Sequence, residues 1–218
     1  MTTRLPLFPL STVLVPGLVL PLHVFEPRYR VLVQALMSLP EGATRQFGVV
    51  ALRSAARGTG AGPDLYAVGC TAELREVTPY SDGRFDIVSV GQSRFRLSQV
   101  DKDAGTPYLT GVVDLLDEPD GQEDLAELTS MVEHRFARYR EQLHVEVTPL
   151  PDDPQVVSYL ITAAMVLGLP ERQRLLEIPT TAERLRAEIL LLRRETALLR
   201  AFGSLPATDL TQGEISAN

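Results

Sequence analysis

The reactive side chains of this sequence are scarce: one cysteine, three histidines, and a single lysine among 21 basic residues in 218. A serine–lysine dyad needs a desolvated lysine able to accept a proton. Lys102 falls in the polar turn Asp101–Gly105, where it stays solvated and charged. A thiol nucleophile would pair Cys70 with His23. Cys70 lies mid-strand between small residues, the usual setting of a buried structural thiol. His134 and His144 are ten residues apart on one expected helix, too far to share a small metal ion, and no HExxH spacing occurs. No GxxxxGK[ST] segment and no GxGxxG turn after a strand offers a phosphate cradle. Gly58 and Gly60 sit in a loop without a lysine and read as flexibility. The acidic run Glu118, Asp120, Glu123 and Asp124 lacks a closed ligand pattern and reads as a solvated helix terminus. The sequence therefore assigns no catalytic residue, no cofactor and no metal, and points to binding rather than catalysis.

Composition narrows the partners. The net charge is -7 and the isoelectric point near 5.1, which argues against nucleic acid. Hydrophobic residues make up 44% and charged residues 22%, enough for a globular core. One cysteine excludes an internal disulfide framework. Leu5–Leu22 is apolar, but Pro6, Pro9, Pro16 and Pro21 interrupt it, so neither a membrane span nor a secretory leader is expected. The default location is the cytoplasm, with no membrane partner.

The elements that must position any binding residue change character near residue 120. Before it, β-type runs lie at Phe47–Leu52, Tyr66–Val77, Arg84–Val90, Arg94–Val100 and Tyr108–Leu116. Asp82–Gly83 signals a hairpin turn, and Gly91 a bulge separating two strand segments. In Arg94–Val100, Phe95 and Leu97 point one way, Arg94 and Arg96 the other. The prolines of the N-terminal stretch read as short extended segments and turns. One helix starts with Pro27 in its first turn and buries Tyr29, Leu32, Val33 and Leu36. Arg53–Asp64 reads as a surface loop. Five or six short strands favour a closed or nearly closed barrel.

Beyond residue 120 the period becomes helical. Leu125, Leu128, Val132, Phe136, Tyr139 and Leu143 form one stripe. A second helix runs from about Pro154 with Val157, Leu160, Ile161, Ala164 and Met165 inward. A short helix follows at Glu171–Glu177. Thr180 and Glu183 form a capping box for the last helix, which Gly203 ends. The expected organisation is α+β: a β unit over 1–117, a helical bundle over 118–205, and a polar tail over 206–218.

Several segments, in order, resemble one family. Leu5–Phe8–Pro9–Leu10, Val15–Pro16–Gly17 and Leu20–Tyr29 resemble the opening of the Lon protease amino-terminal domain. Phe47–Val50, Val68–Ala72, Asp82–Arg84, Gly91–Arg96 and Tyr108–Leu109 continue the likeness, and Arg172–Glu177 with Glu183–Leu185 extends it to the helical half. The resemblance spans about 5–203. It implies a PUA-like small β-barrel followed by an α-helical bundle that engages substrate proteins. It further implies a free-standing homologue without ATP hydrolysis or proteolysis, since the chain ends where those modules begin in full Lon proteases. The expected partners are unfolded or partly folded proteins, or one specific protein.

Three surfaces are candidates. The first is a peptide-binding rim of Leu14, Leu18, Phe25, Arg28 and Tyr29, because Val13, Leu14, Val15 and Leu18 cannot all point inward from an irregular segment. The second is a groove between the two halves, with Phe95 and Tyr108 on one side and Phe136 and Tyr139 on the other. The third is a homodimer contact on the last helix through Leu192 and Leu199, with Leu190 or Leu191 covering a second contact.

Overall fold

The computed structural model describes residues 2–53, 63–146 and 149–202. Gly58, Gly60, Gly203 and the tail lie outside these residues, as does most of the expected loop at Arg53–Asp64. The ends of that loop are pinned by a Leu52–Leu65 bridge and by the Arg53 amide donating to the Asp64 carbonyl at 2.9 Å. The chain divides into two compact units, the first running to Leu116 and the second beginning at Asp117.

The first unit contains β1 (Thr2–Leu10), β2 (Val19–Val24), α1 (Pro27–Met37), β3 (Gln46–Ala51), β4 (Val68–Pro79), β5 (Phe85–Asp101) and β6 (Thr110–Leu115). The sheet order is β2-β5-β4-β3-β1-β6, and β6 pairs again with β5, so the ladder returns to β5, while β2 pairs with β5 alone. Among the described strands, only β1 and β3 run parallel. Strand β1 carries Pro6 and Pro9, whose presence in the sequence suggests short segments and turns instead. The continuous strand has a simple cause. Thr2–Pro6 pairs only with β6, and Leu7–Leu10 only with β3. Each proline thus sits where its missing N–H costs one ladder at most.

Strand β5 is one 17-residue strand, not two. Its opening residues lie between β2 and β4, and its closing residues join β6. The register with β4 shifts between Cys70 and Ala72, opposite Gly91–Arg94. Gly91 is required there: a Cβ would lie 2.3 Å from the Val15 carbonyl oxygen. Arg94, beside Phe95 in the strand, is buried as well. The β4–β5 hairpin turns at Asp82–Gly83 as expected. Gly83 has φ +82°, and its amide donates to the Tyr80 carbonyl at 3.0 Å.

Two apolar clusters of described residues lie in the interior. One joins Phe8, Leu10, Leu14, Leu22, Phe47 and Ile87 to the inner face of α1; the other gathers Leu5, Leu7, Val50, Phe95 and Val113. Helix α1 buries Tyr29, Leu32, Val33 and Leu36, as its spacing predicts.

The second unit contains α2 (Leu125–Gln142), α3 (Pro154–Ala164), α4 (Leu169–Glu177) and α5 (Thr181–Phe202). Asp124 and Asp153 cap α2 and α3, each accepting a backbone amide two residues on at 2.9 Å. Thr180 accepts the Glu183 amide at 3.2 Å and donates its hydroxyl to the Glu183 carboxylate, so the expected cap is present. The unit packs around Val132, Phe136, Tyr139, Val157, Ile161, Leu175, Leu185 and Leu192.

A buried polar cluster accompanies this core. Arg184 has no exposed surface; its Nε donates to the Ser158 hydroxyl at 2.8 Å, and its guanidinium lies 3.9 Å from the Tyr159 ring centre. Glu118 receives the Tyr159 hydroxyl at 2.8 Å and faces Arg184 at 3.6 Å. Thr162 donates to Glu188 at 2.6 Å, and burial pushes the Glu188 carboxyl well above the usual range. The acidic run is therefore not merely solvated: Glu118 enters this cluster, Asp124 caps a helix, and Glu123 pairs with Arg186 at 2.6 Å.

Candidate functional site

The rim expected at the start of the chain is reduced by packing. Val13, Leu14 and Val15 are all buried, at 4%, 2% and 1% exposure, and Leu18 is half-buried against the core. Positive φ at Gly17 and a Gly17–Gly91 backbone hydrogen bond fold the segment onto the β unit, which lets these side chains point inward together. Tyr29 is also core. Its ring stacks on Phe8 with centres 4.0 Å apart, and burial pushes its hydroxyl up to about 12. Leu14 and Tyr29 are thus removed from the candidate surface. Phe25 and Arg28 remain on it. Phe25 is 39% exposed, and Arg28 pairs with Glu26 at 2.8 Å.

Around Phe25 stands a cluster that sequence reasoning does not reveal. On β2, Val19, Pro21 and His23 face outward. His23 stacks near Phe25 and meets the Tyr80 ring edge-on. His23 Nδ1 lies 2.6 Å from Asp86, and Arg84 donates toward Nε2 at 3.3 Å. The Asp86 carboxylate can only accept, so Nδ1 carries a proton in this pairing. Asp86 also accepts the Tyr80 hydroxyl; hydrogen bonds from Tyr80 and His23 hold its carboxyl below the usual carboxylate range. Both imidazole nitrogens are engaged, so the group is a fixed aromatic and charged platform rather than a free base. The period-2 alternation of β2 is the available signal, obscured by Pro21.

The second candidate surface requires a larger correction. Phe95 is wholly buried within the β unit and so cannot line an open surface, and Tyr108 is half-buried against the core of that unit. Phe136 and Tyr139 belong to a different hollow, formed within the helical unit. It has a volume of about 340 Å³, and Leu143, Val145, Leu150, Leu160 and Ala164 contribute to its lining. Arg140 is the one charged residue of this lining, 5.6 Å from the Phe136 ring centre. The Tyr139 hydroxyl is occupied by the Val166 amide at 3.0 Å.

The hollow exists because α3 turns a different face inward than its apolar spacing suggests. Ser158, Tyr159 and Thr162 are buried toward Arg184, Glu118 and Glu188. Leu160 and Ala164, expected inside, are exposed, Leu160 at 37%. Val145 beside them is 51% exposed. The arrangement suits capture of apolar side chains with an electropositive edge. Among the described residues, no group of three histidine, cysteine or acidic side chains could hold a metal ion. No described helix is long and apolar enough to cross a membrane.

Comparison with known proteins agrees with this architecture. The family model described as the ATP-dependent protease La (LON) substrate-binding domain matches residues 4–194. Lon protease 2 of Herpetosiphon aurantiacus is 32% identical over 209 residues, covering 91% of this chain and 24% of that protein. Lon protease 1 of Thermus thermophilus is 30% identical over 142 residues, covering 61% of this chain and 18% of that protein. The chain thus spans a quarter or less of the length of these two relatives. Among solved structures, a Lon N-terminal domain protein from Xanthomonas campestris superposes with a TM-score of 0.63 at 26% identity, covering 88% of this chain and 98% of that one. The N-terminal domain of Mycobacterium avium complex Lon protease gives a TM-score of 0.67 at 18% identity, covering 89% and 98%, a likeness of fold. With the match running from β1 into α5, the chain belongs to the Lon substrate-binding domain family.

Proposed function

We propose that this chain is a non-catalytic, cytoplasmic polypeptide-binding module, a PUA-like β-barrel joined to a helical bundle. It holds apolar stretches of unfolded or partly folded proteins in the hollow of the helical unit. The observation that carries this reading is the lining itself: Val145 and Leu160, exposed beside Leu143, Leu150 and the buried Phe136, leave apolar surface open to water. Such surface favours apolar partners, and Arg140 at its edge favours chains with a flanking carboxylate. Phe25 and Arg28 on the β unit are a second contact for the same clients. The returning ladder of β5 supports the barrel description, and the family match supports a protein substrate. The acidic overall charge supports a role without nucleic acid.

The test is titration of a labelled, permanently unfolded protein against wild type and a Val145→Ser/Leu160→Gln variant. Both positions are exposed, so folding should survive, as the melting curve will check. Wild type should bind saturably with a negative heat-capacity change and little salt dependence. The variant should bind at least about fivefold more weakly, the scale of one or two lost apolar contacts. No binding by wild type at about 100 μM to any of three unrelated unfolded proteins, a regime of roughly -5 kcal/mol, overturns the reading.

A further inference from the structure

Helices α2 and α5 lie side by side and point the same way. Near their starts, Glu127 and Met131 share a hollow of about 570 Å³ with Arg186 and Leu190. Farther along, Arg135 and Arg138 share a second hollow with Arg193 and Arg200. On α2 these residues fall at 127, 131, 135 and 138, and on α5 at 186, 190, 193 and 200; each set is a single stripe at helical spacing. The two hollows are therefore successive stretches of one face.

The face is divided by charge. The end near the helix starts is acidic, with Glu123, Asp124 and Glu127, of which Glu123 is neutralised by Arg186. The other end carries four arginines, none in an ion pair among the described residues. Between them lie two apolar side chains open to water, Met131 at 42% and Leu190 at 67% exposure.

The spacing is symmetric about Met131. Glu127 and Arg135 are each four residues from it, and Asp124 and Arg138 each seven. Two such helices packed antiparallel across a two-fold axis at Met131 bring residue 131+k of one against 131−k of the other. Glu127 then meets Arg135 of the second copy, Asp124 meets Arg138, and Met131 meets itself. Each charged pair occurs twice and the Met131 contact once, on the axis, as an isologous interface requires. A phosphate backbone or a uniformly acidic peptide would satisfy the arginines but be repelled by the acidic end. We infer that this face binds a second copy of the chain, with the α2 helices antiparallel and Met131 on the axis. The contact differs from the one expected through Leu192, which is wholly buried in the core.

Sedimentation equilibrium of the full chain, with Glu127→Arg, Arg135→Glu and the double variant, tests this. Wild type should reach the mass of two 24.0-kDa chains as concentration rises. Added salt should weaken association, since its charges lie at a solvated surface. Each single reversal opposes like charges at two symmetric places and should raise the dissociation constant at least about tenfold. The double reversal restores opposite charges in both and should return it to within about threefold of wild type. A wild type that stays at the mass of one chain at about 200 μM, a regime of roughly -5 kcal/mol, overturns the proposal. So do single variants that associate as wild type does, or a double variant no tighter than the singles.

Discussion

Replacing Arg184 by methionine is expected to lower the stability of the helical unit by about 3 kcal/mol, the lower end of the range for breaking a buried ion pair from one side. The side chain has no exposed surface and holds α3 and the segment before α2 against α5. Its removal leaves the Ser158 hydroxyl without the Nε donor and the Tyr159 ring without its stacked guanidinium. It also removes the Arg184–Glu118 contact and takes away the charge that draws the buried Glu188 carboxyl toward ionisation. Methionine keeps an unbranched apolar stem and limits the cavity left, so the loss reports chiefly on charge and hydrogen bonding. Arg184→Lys keeps the charge but loses the planar donor and should fall between the two. Urea unfolding followed by far-ultraviolet circular dichroism measures the effect. A methionine variant within about 1 kcal/mol of wild type, the worth of an ordinary neutral hydrogen bond, would contradict the role given to this cluster.

Gly69→Val should have a larger effect and prevent the β unit from folding. A Cβ at this position would sit 2.4 Å from the Val49 carbonyl oxygen and 2.5 Å from the Phe95 ring. Neither neighbour can yield easily. Val49 is paired with Cys70 in the β3–β4 ladder, and Phe95 is wholly buried among Leu5, Leu7, Val50 and Val113. A branched side chain must therefore separate β3 from β4 or expel an aromatic core residue, well above the roughly 1–3 kcal/mol of ordinary overpacking. The expected result is an insoluble chain, or a soluble one lacking cooperative melting of its β unit. Gly168→Ala is the control: a Cβ there meets only Pro170, at 3.8 Å, and the change should cost under about 1 kcal/mol. A folded Gly69→Val protein with an unchanged melt would mean that the close approach of β3, β4 and Phe95 is wrong.

The features of the fold that follow local rules are legible in the sequence. Tyr29, Leu32, Val33 and Leu36 mark the inner face of α1, and Asp82–Gly83 marks the β4–β5 turn. The features that escape it depend on what lies opposite. Pro6 and Pro9 argue against a central strand only if both edges of β1 are paired along its whole length, and they are not. Apolar spacing misplaces the inner face of α3 because it assumes an apolar partner. Arg184 and Glu188 turn the polar Ser158 and Thr162 inward, and that same rotation leaves Leu160 in the hollow. The sequence places Phe136 and Tyr139 on one helical stripe and assigns them to a groove between the halves; that they line a hollow with Val145 and Leu160 depends on facings that only the tertiary structure decides.

Site-specific photo-crosslinking tests the central proposal most directly. A photoreactive phenylalanine analogue replaces Leu160 in one preparation and the exposed Arg174, outside the hollow lining, in another. Each is irradiated with a labelled unfolded client and with the same client in its folded state. Binding in the hollow predicts an adduct from position 160 with the unfolded client alone, lost on adding excess unlabelled unfolded protein, and little or none from position 174. Equal yields at the two positions, or no adduct at 160 under conditions where the client binds, would contradict it.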